Sequence, residues 1–96
     1  IDPGIGFGRT HAQSFEQIRR LSELRAAFDL PVLLGASRKR CIGAATRQTI
    51  AAERVAGSLA AHLWGAMHGA DVMRVHDVAE HAQALGVLSA IEGRGP

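Results

Sequence analysis

Two short apolar runs, Val32-Leu33-Leu34 and Val72 to Val75, stand between longer segments with helical spacing. This alternation constrains the fold more than any other feature of the sequence. Short, mostly apolar runs suit parallel strands covered on both faces. Strands that alternate with helices imply βαβ units and a parallel sheet. The helices are read at about Ser14–Phe28, Ala51–His68 and Val78–Ile91. In the first, Ile18, Leu21, Leu24 and Phe28 share one side. Glu16, Arg19, Arg20 and Glu23 gather on the other, with Glu16–Arg20 and Arg19–Glu23 at i,i+4 spacing. Asp29 and Pro31 end this helix. Gly69 stops the second, and Asp77 with Glu80 gives the third a capping box. Residues 35–40 leave the first strand as a basic loop. The opening Ile1-Asp2-Pro3-Gly4 reads as the last step of a strand entering a glycine-rich loop, Asp2 to Thr10. The rest of that strand is expected outside this sequence.

Composition excludes several function classes. Hydrophobic residues make up 47% and charged residues 21% of the 96, so a disordered tail, a collagen-like chain and a coiled coil are out. No apolar run approaches the roughly 20 residues of a membrane span, and no charged-then-apolar leader opens the chain. A net charge of +2 and 4% aromatics leave no basis for a nucleic-acid partner. The single cysteine, Cys41, fits a reducing cytosol and is expected to pack rather than react. The five histidines match no zinc spacing. Gly4-Ile5-Gly6-Phe7-Gly8 matches neither the dinucleotide fingerprint nor a P-loop.

Ligands of α/β folds sit beyond the carboxyl ends of the strands. Three polar clusters fall there: Asp2, Ser37-Arg38-Lys39, and Arg74-Val75-His76. Strand parity puts Arg74 and His76 on one face, with Met73 and Val75 on the other. Two potential cations side by side suggest an anion site, and Lys39 adds a third positive group. Asp2, acceptor-only when ionised, suits a ligand with paired N–H donors. Blander readings stand beside these. Asp2 before Pro-Gly forms turns, residues 37–40 make a solvated loop, and Arg74 pairs with Asp71 or Asp77.

In this order the motifs resemble dihydropteroate synthase. Asp2-Pro3-Gly4-Ile5-Gly6-Phe7-Gly8 is similar to that family's glycine-rich loop, and Gly35-Ala36-Ser37-Arg38-Lys39 to its Ser-Arg-Lys motif. Glu53-Arg54 with Gly57-Ser58-Leu59-Ala60 is similar to the helix that follows, and Arg74-Val75-His76-Asp77-Val78 to the final strand motif. The resemblance runs from Ile1 to about Ile91. It implies an α/β fold, the (β/α)₈ TIM barrel, which takes about 250 residues. Residues 1–92 would form the C-terminal portion of one pterin-binding barrel domain, with parallel strands and outer helices, and 93–96 a loose tail.

The implied activity is a cytoplasmic transferase of folate biosynthesis. It condenses p-aminobenzoate with 6-hydroxymethyl-7,8-dihydropterin pyrophosphate to give 7,8-dihydropteroate and pyrophosphate. The resemblance implies a homodimer, and Mg²⁺ held mainly by an asparagine outside this chain and by the pyrophosphate, with no metal ligand here. It places Asp2, Phe7, Gly35 and Lys39 at the pterin, and Arg74 and His76 at the departing pyrophosphate. Lys39, Arg74 and His76 form the catalytic set. Three positions depart from the family pattern. Arg9 stands for the usual lysine, Gln13-Ser14 for a His-Asn pair, and Arg40 for the serine beside p-aminobenzoate. The chain alone is expected to be inactive. Alternative readings are a pterin-binding methyltransferase domain and a pterin-binding remnant that has lost catalysis.

Overall fold

Residues 1–94 are described by a computed structural model; Gly95 and Pro96 of the expected tail lie outside the described residues. β1, Leu33–Leu34, and β2, Val72–Met73, run parallel, with Leu33 opposite Val72 and Leu34 opposite Met73. Successive residues of a strand point their amides to opposite sides. Val32 and Leu34 therefore present carbonyls to β2, while the Leu33 N–H donates to the Ile1 carbonyl at 2.7 Å. Ile1, β1 and β2 lie side by side in that order, so the chain's first residue sits where a neighbouring strand end would. Asp71 fastens the entry to both strands. Its carboxylate accepts from the Val32 N–H at 2.8 Å and pairs with Arg25.

Helices cover one face of this pair. The order is α1 (His11–Arg19), α2 (Leu21–Phe28), β1, α3 (Arg40–Thr46), a 3₁₀ turn at Ala51–Glu53, α4 (Val55–Met67), β2 and α5 (Val78–Ile91). Val32, Leu34 and Ala36 point into the helices and join Ile5, Ile18 and Leu21 in the core, with Phe15, Leu24, Ala61 and Ala70 around them. The other face is open, and Val72 is 51% exposed there.

Several local features differ from the sequence reading. The helix expected over residues 14–28 is two helices, beginning earlier at His11. Thr10 and Gln13 form a reciprocal capping box there, each side chain accepting from the other's backbone N–H. The break at Arg20 carries no glycine or proline. Its guanidinium clasps the joint instead, pairing back to Glu16 and forward to Glu23. α3 arises at the end of the basic loop and in the stretch before Ala51 to which the sequence assigns no element. Seven residues with a central glycine give no periodic signal, and a helix so short depends on tertiary packing; Cys41, Ile42 and Gly43 are buried. Burial also pushes the Cys41 thiol pKa up, as suits a packing residue. Asp77 makes no cap hydrogen bond to α5, because its carboxylate is taken by Arg38. The helix expected from Ala51 starts later, because Ala51–Glu53 form the 3₁₀ turn and α4 begins at Val55, and β2 ends at Met73 rather than Val75. Two helix ends agree: Asp29 closes α2 in the left-handed region at φ 48°, and Gly69 follows α4 at φ 111°.

Candidate functional site

All three polar clusters meet at the carboxyl ends of the strands. Asp2 is set by its own loop, where its Oδ1 accepts from the Gly4 N–H at 2.8 Å. Its Oδ2 lies 3.3 Å from Arg74 Nη1, an ion pair reaching across β1. Gly35 lies between them in the sheet and explains how this is possible. A Cβ at Gly35 would stand 2.7 Å from Arg74 Nη2 and 3.1 Å from Cζ, so only glycine lets the guanidinium lie across the strand end. Arg74 thus pairs with Asp2, while Asp71 and Asp77 take Arg25 and Arg38. Alternation along the strand is as the sequence implies: Val72, Arg74 and His76 are exposed, Met73 and Val75 half-buried.

Ser37 sets His76. The Ser37 Oγ accepts from the His76 backbone N–H at 3.1 Å and lies 2.7 Å from His76 Nδ1. The hydroxyl keeps its proton beside that amide, and in one arrangement donates it to Nδ1. The lone pair is then on Nδ1 and the remaining ring proton on Nε2, which is left to donate outward. Lys39 lies on the far side of the loop, its Nζ 4.8 Å from the Phe7 ring centroid, a cation–π distance.

The loop carrying Ser37 and Lys39 is held in a demanding shape. Arg38 has φ 57°, a left-handed conformation costly for a residue with a long side chain. Both backbone polar groups of Arg38 and its guanidinium have partners. Its N–H donates to Ser58 Oγ at 2.9 Å, and its carbonyl accepts from Arg54 Nη1 at 3.0 Å. Its guanidinium forks onto both Asp77 oxygens at 2.8 and 3.3 Å. That hydrogen bonding by Arg38 holds the Asp77 carboxyl below the usual carboxylate range. Arg54 also donates to the Gln48 and Thr49 carbonyls, so one side chain ties this loop to the segment after α3. The structural roles of Ser37, Asp77 and Arg54 escape a sequence reading. Ser37 and Asp77 have partners 39 residues away, and Arg54 bonds only backbone carbonyls, so none leaves a residue-type signal.

Two cavities flank Lys39. One, of about 190 Å³, is lined by Gly35, Ser37, Lys39, Arg74, Val75 and His76. The other, of about 370 Å³, is lined by residues that include Gly6, Phe7, Arg9, Ser14, Lys39 and Arg40. The first gathers donors on a small space, as an anion requires. The second pairs an aromatic face with two arginines, which suits a flat ring carrying a negative group. Arg40 is the first residue of α3, exposed, and on that second cavity. Gln13 is occupied with its cap, and Ser14 is buried against the same cavity. Among the described residues, no three His, Cys, Asp or Glu side chains gather where they could hold a metal ion, and no helix is long and apolar enough to cross a membrane.

Comparison with known proteins places this arrangement. The family model described as pterin binding enzyme matches residues 1–76. The dihydropteroate synthase of Neisseria meningitidis serogroup B is 45% identical over 93 residues, covering 95% of this chain and 33% of its own length. Among solved structures, dihydropteroate synthase from Xanthomonas albilineans in complex with 7,8-dihydropteroate superimposes with a TM-score of 0.92 at 47% identity, over 96% of this chain and 35% of that one. The Thermus thermophilus enzyme in complex with 4-aminobenzoate gives 0.90 at 47% identity, over 95% of this chain and 37% of that one. The chain spans about a third of the length of the curated relatives it matches.

Proposed function

The chain belongs to the pterin binding enzyme family, and on that premise we propose that it is the C-terminal portion of a dihydropteroate synthase, part of a (β/α)₈ barrel. One observation carries the reading: Asp2, Lys39, Arg74 and His76 share one rim at the strand ends, beside two adjoining cavities. The open sheet face supports the barrel, because parallel strands are found covered on both faces. Val72 and Ile1, exposed here, would then be interior. Residues 1–92 form one part of that single domain. The lone buried thiol fits a cytoplasmic enzyme.

In this reading Asp2 accepts from the pterin's amino and N–H edge, and Phe7, Gly35 and Lys39 border the ring. p-Aminobenzoate attacks the pterin methylene carbon through its amine. As the C–O bond to pyrophosphate breaks, charge builds on the departing oxygen. Fixed donors at that place favour the transition state over the ground state. Arg74, the outward Nε2–H of His76 and Lys39 supply them. Magnesium supplies charge neutralisation on pyrophosphate in this family. Among the described residues no group of His, Cys, Asp or Glu side chains could hold it, and its ligand is expected outside this chain.

The test is turnover by the full-length enzyme. Given both substrates, it should release dihydropteroate and pyrophosphate in equal amounts. Pterin binding with no product would select the remnant reading, and a requirement for a corrinoid partner the methyltransferase.

Arg40 lines the cavity shared with Phe7 and Lys39, which supports a role for its planar fork in taking the p-aminobenzoate carboxylate, an acceptor that sulfonamides replace with a bulkier, weaker one. Arg40→Ser is expected to raise KM for p-aminobenzoate or tighten sulfonamide inhibition. A change below about twofold in both, well short of the tenfold of 1.4 kcal/mol, would place Arg40 off the pocket.

We also assign the parent enzyme as a homodimer. Gly57, Ala60, Ala61 and Trp64 of α4 form an apolar groove with Phe15 and Ile18 of α1 and Ile42 of α3, a face that asks to be covered. Sedimentation at micromolar concentration should give a dimer; a monomer alone would refute it.

A further inference from the structure

Two histidines are buried with no carboxylate hydrogen-bonded to either, the nearby Asp77 side chain being taken by Arg38. His62 on α4 is 0% exposed and His81 on α5 is 4% exposed. Their rings meet edge to face, with centroids 4.9 Å apart. His62 Nδ1 lies 2.8 Å from His81 Nε2. At the outer ends of the pair are two backbone groups. The Ala36 N–H donates to His62 Nε2 at 3.1 Å, and His81 Nδ1 lies 2.7 Å from the Asp77 carbonyl.

These partners fix where every proton is. An amide N–H only donates, so His62 Nε2 carries a lone pair. A carbonyl only accepts, so His81 Nδ1 carries a proton. Two neutral rings then complete the chain in one way: His62 Nδ1–H donates to the His81 Nε2 lone pair. A further proton on His62 Nε2 would face the Ala36 N–H, and one on His81 Nε2 would face the His62 N–H. Both rings are therefore uncharged and of the Nδ1–H tautomer. Burial, with His81 opposite, pushes the His62 pKa down to about 4, in accord with this arrangement.

The ends of the pair lie in the two loops that carry the candidate site. Ala36 precedes Ser37, and Asp77 follows His76. On the rim, Ser37 bonds His76 and Arg38 bonds Asp77. Behind it, α4 holds the first loop through two acceptors four residues apart on one face, Ser58 taking the Arg38 N–H and His62 the Ala36 N–H. His81 carries that hold across to α5. We propose that His62 and His81 are positioning residues, a buried uncharged imidazole pair that fixes the loops after β1 and β2 at the spacing where Ser37 orients His76. Imidazole suits this span because it offers an acceptor and a donor on opposite edges of one rigid ring. The value of that orientation for catalysis rests on the reading of His76 as a pyrophosphate ligand; the spectroscopic test does not.

The test uses the full-length enzyme with ¹⁵N-labelled histidine, resonances being assigned by substitution. At pH 7, His62 and His81 should both show protonated Nδ1 and unprotonated Nε2, the tautomer less favoured in water. His76 should show the reverse. His81→Phe keeps the ring volume and removes the relay, and His76 should then lose its single tautomer. His81→Gln, which keeps an acceptor toward His62, should preserve it. In turnover, His81→Phe should raise KM for the pterin pyrophosphate about 3- to 10-fold, the range set by one neutral hydrogen bond, with Gln between. A proton on Nε2 of either buried ring, or an unchanged His76 signature in folded His81→Phe, would overturn the proposal. The wild-type tautomers decide even if the Phe variant does not fold. An enzyme with no turnover at all would instead sink the functional reading, leaving the tautomers to judge the pair.

Discussion

Replacing Arg74 with alanine in the full-length enzyme should lower kcat/KM for the pterin pyrophosphate about 10- to 100-fold, the equivalent of one charge-assisted hydrogen bond of roughly 1.5–3 kcal/mol. The loss should fall on chemistry rather than on folding. Arg74 is 59% exposed along its side chain, and its one ion pair, to Asp2 at 3.3 Å, is also solvent-facing. Exposed pairs of that kind contribute little to stability. The thermal midpoint should therefore hardly move while pyrophosphate binding weakens. His76→Ala should act in the same direction and less, since it removes one donor rather than a fork. Steady-state kinetics with calorimetric titration of pyrophosphate make the measurement. Wild-type rates in both variants would remove these two residues from the anion site.

What the sequence discloses about this site, and what it hides, follows from the range of the interactions. The strand-end positions of Asp2, Lys39, Arg74 and His76 are readable because apolar runs mark the strands and alternation marks the faces. The partner of Arg74 is not readable. Asp71 and Asp77 are nearer in sequence, but Asp2, 72 positions away, is the one it meets, because Gly35 clears the space over β1. The misplaced cap at Asp77 has the same origin. Spacing from Glu80 gives a local capping signal, and a distant guanidinium outcompetes it. α3 and the break at Arg20 are hidden for a different reason. Neither has periodicity or a breaker residue, and both are fixed by packing and ion pairs that only the folded chain brings together. His62 and His81 look like isolated helical histidines in the sequence, 19 residues apart. Only the parallel placement of α4 and α5 makes them a pair.

A strongly damaging small substitution is expected at Gly65, on the buried side of α4. Alanine is the better helix former by about 1 kcal/mol, so propensity alone would make Gly65→Ala stabilising. Packing reverses the sign. A Cβ there would stand 2.4 Å from Leu34 Cδ2, with Ala70 Cβ at 3.5 Å and Leu21 Cδ2 at 3.7 Å. Leu34 and Leu21 are both fully buried, so neither side chain can swing into solvent. The helix must lift from β1 or Leu34 must leave its rotamer, an overpacking cost of about 1–3 kcal/mol. Gly57 provides the comparison. Its Cβ would meet Ile42 Cγ2 at the same 2.4 Å and Thr46 Cγ2 at 3.1 Å, but both belong to α3 at the groove between α1, α3 and α4, where a shift leaves β1 in place. Urea denaturation of the full-length enzyme should thus show a larger loss for Gly65→Ala than for Gly57→Ala. Leu34 leads directly into Gly35 and Ala36, so Gly65→Ala should also lower kcat/KM, which Gly57→Ala should do less. Leu34→Val, by removing the clashing Cδ2, should be partly compensatory. The double variant should lose less than the sum of the two single losses, as contacting residues do. Additive losses, or a Gly65→Ala midpoint at or above wild type, would show that α4 does not rest on β1 through this contact.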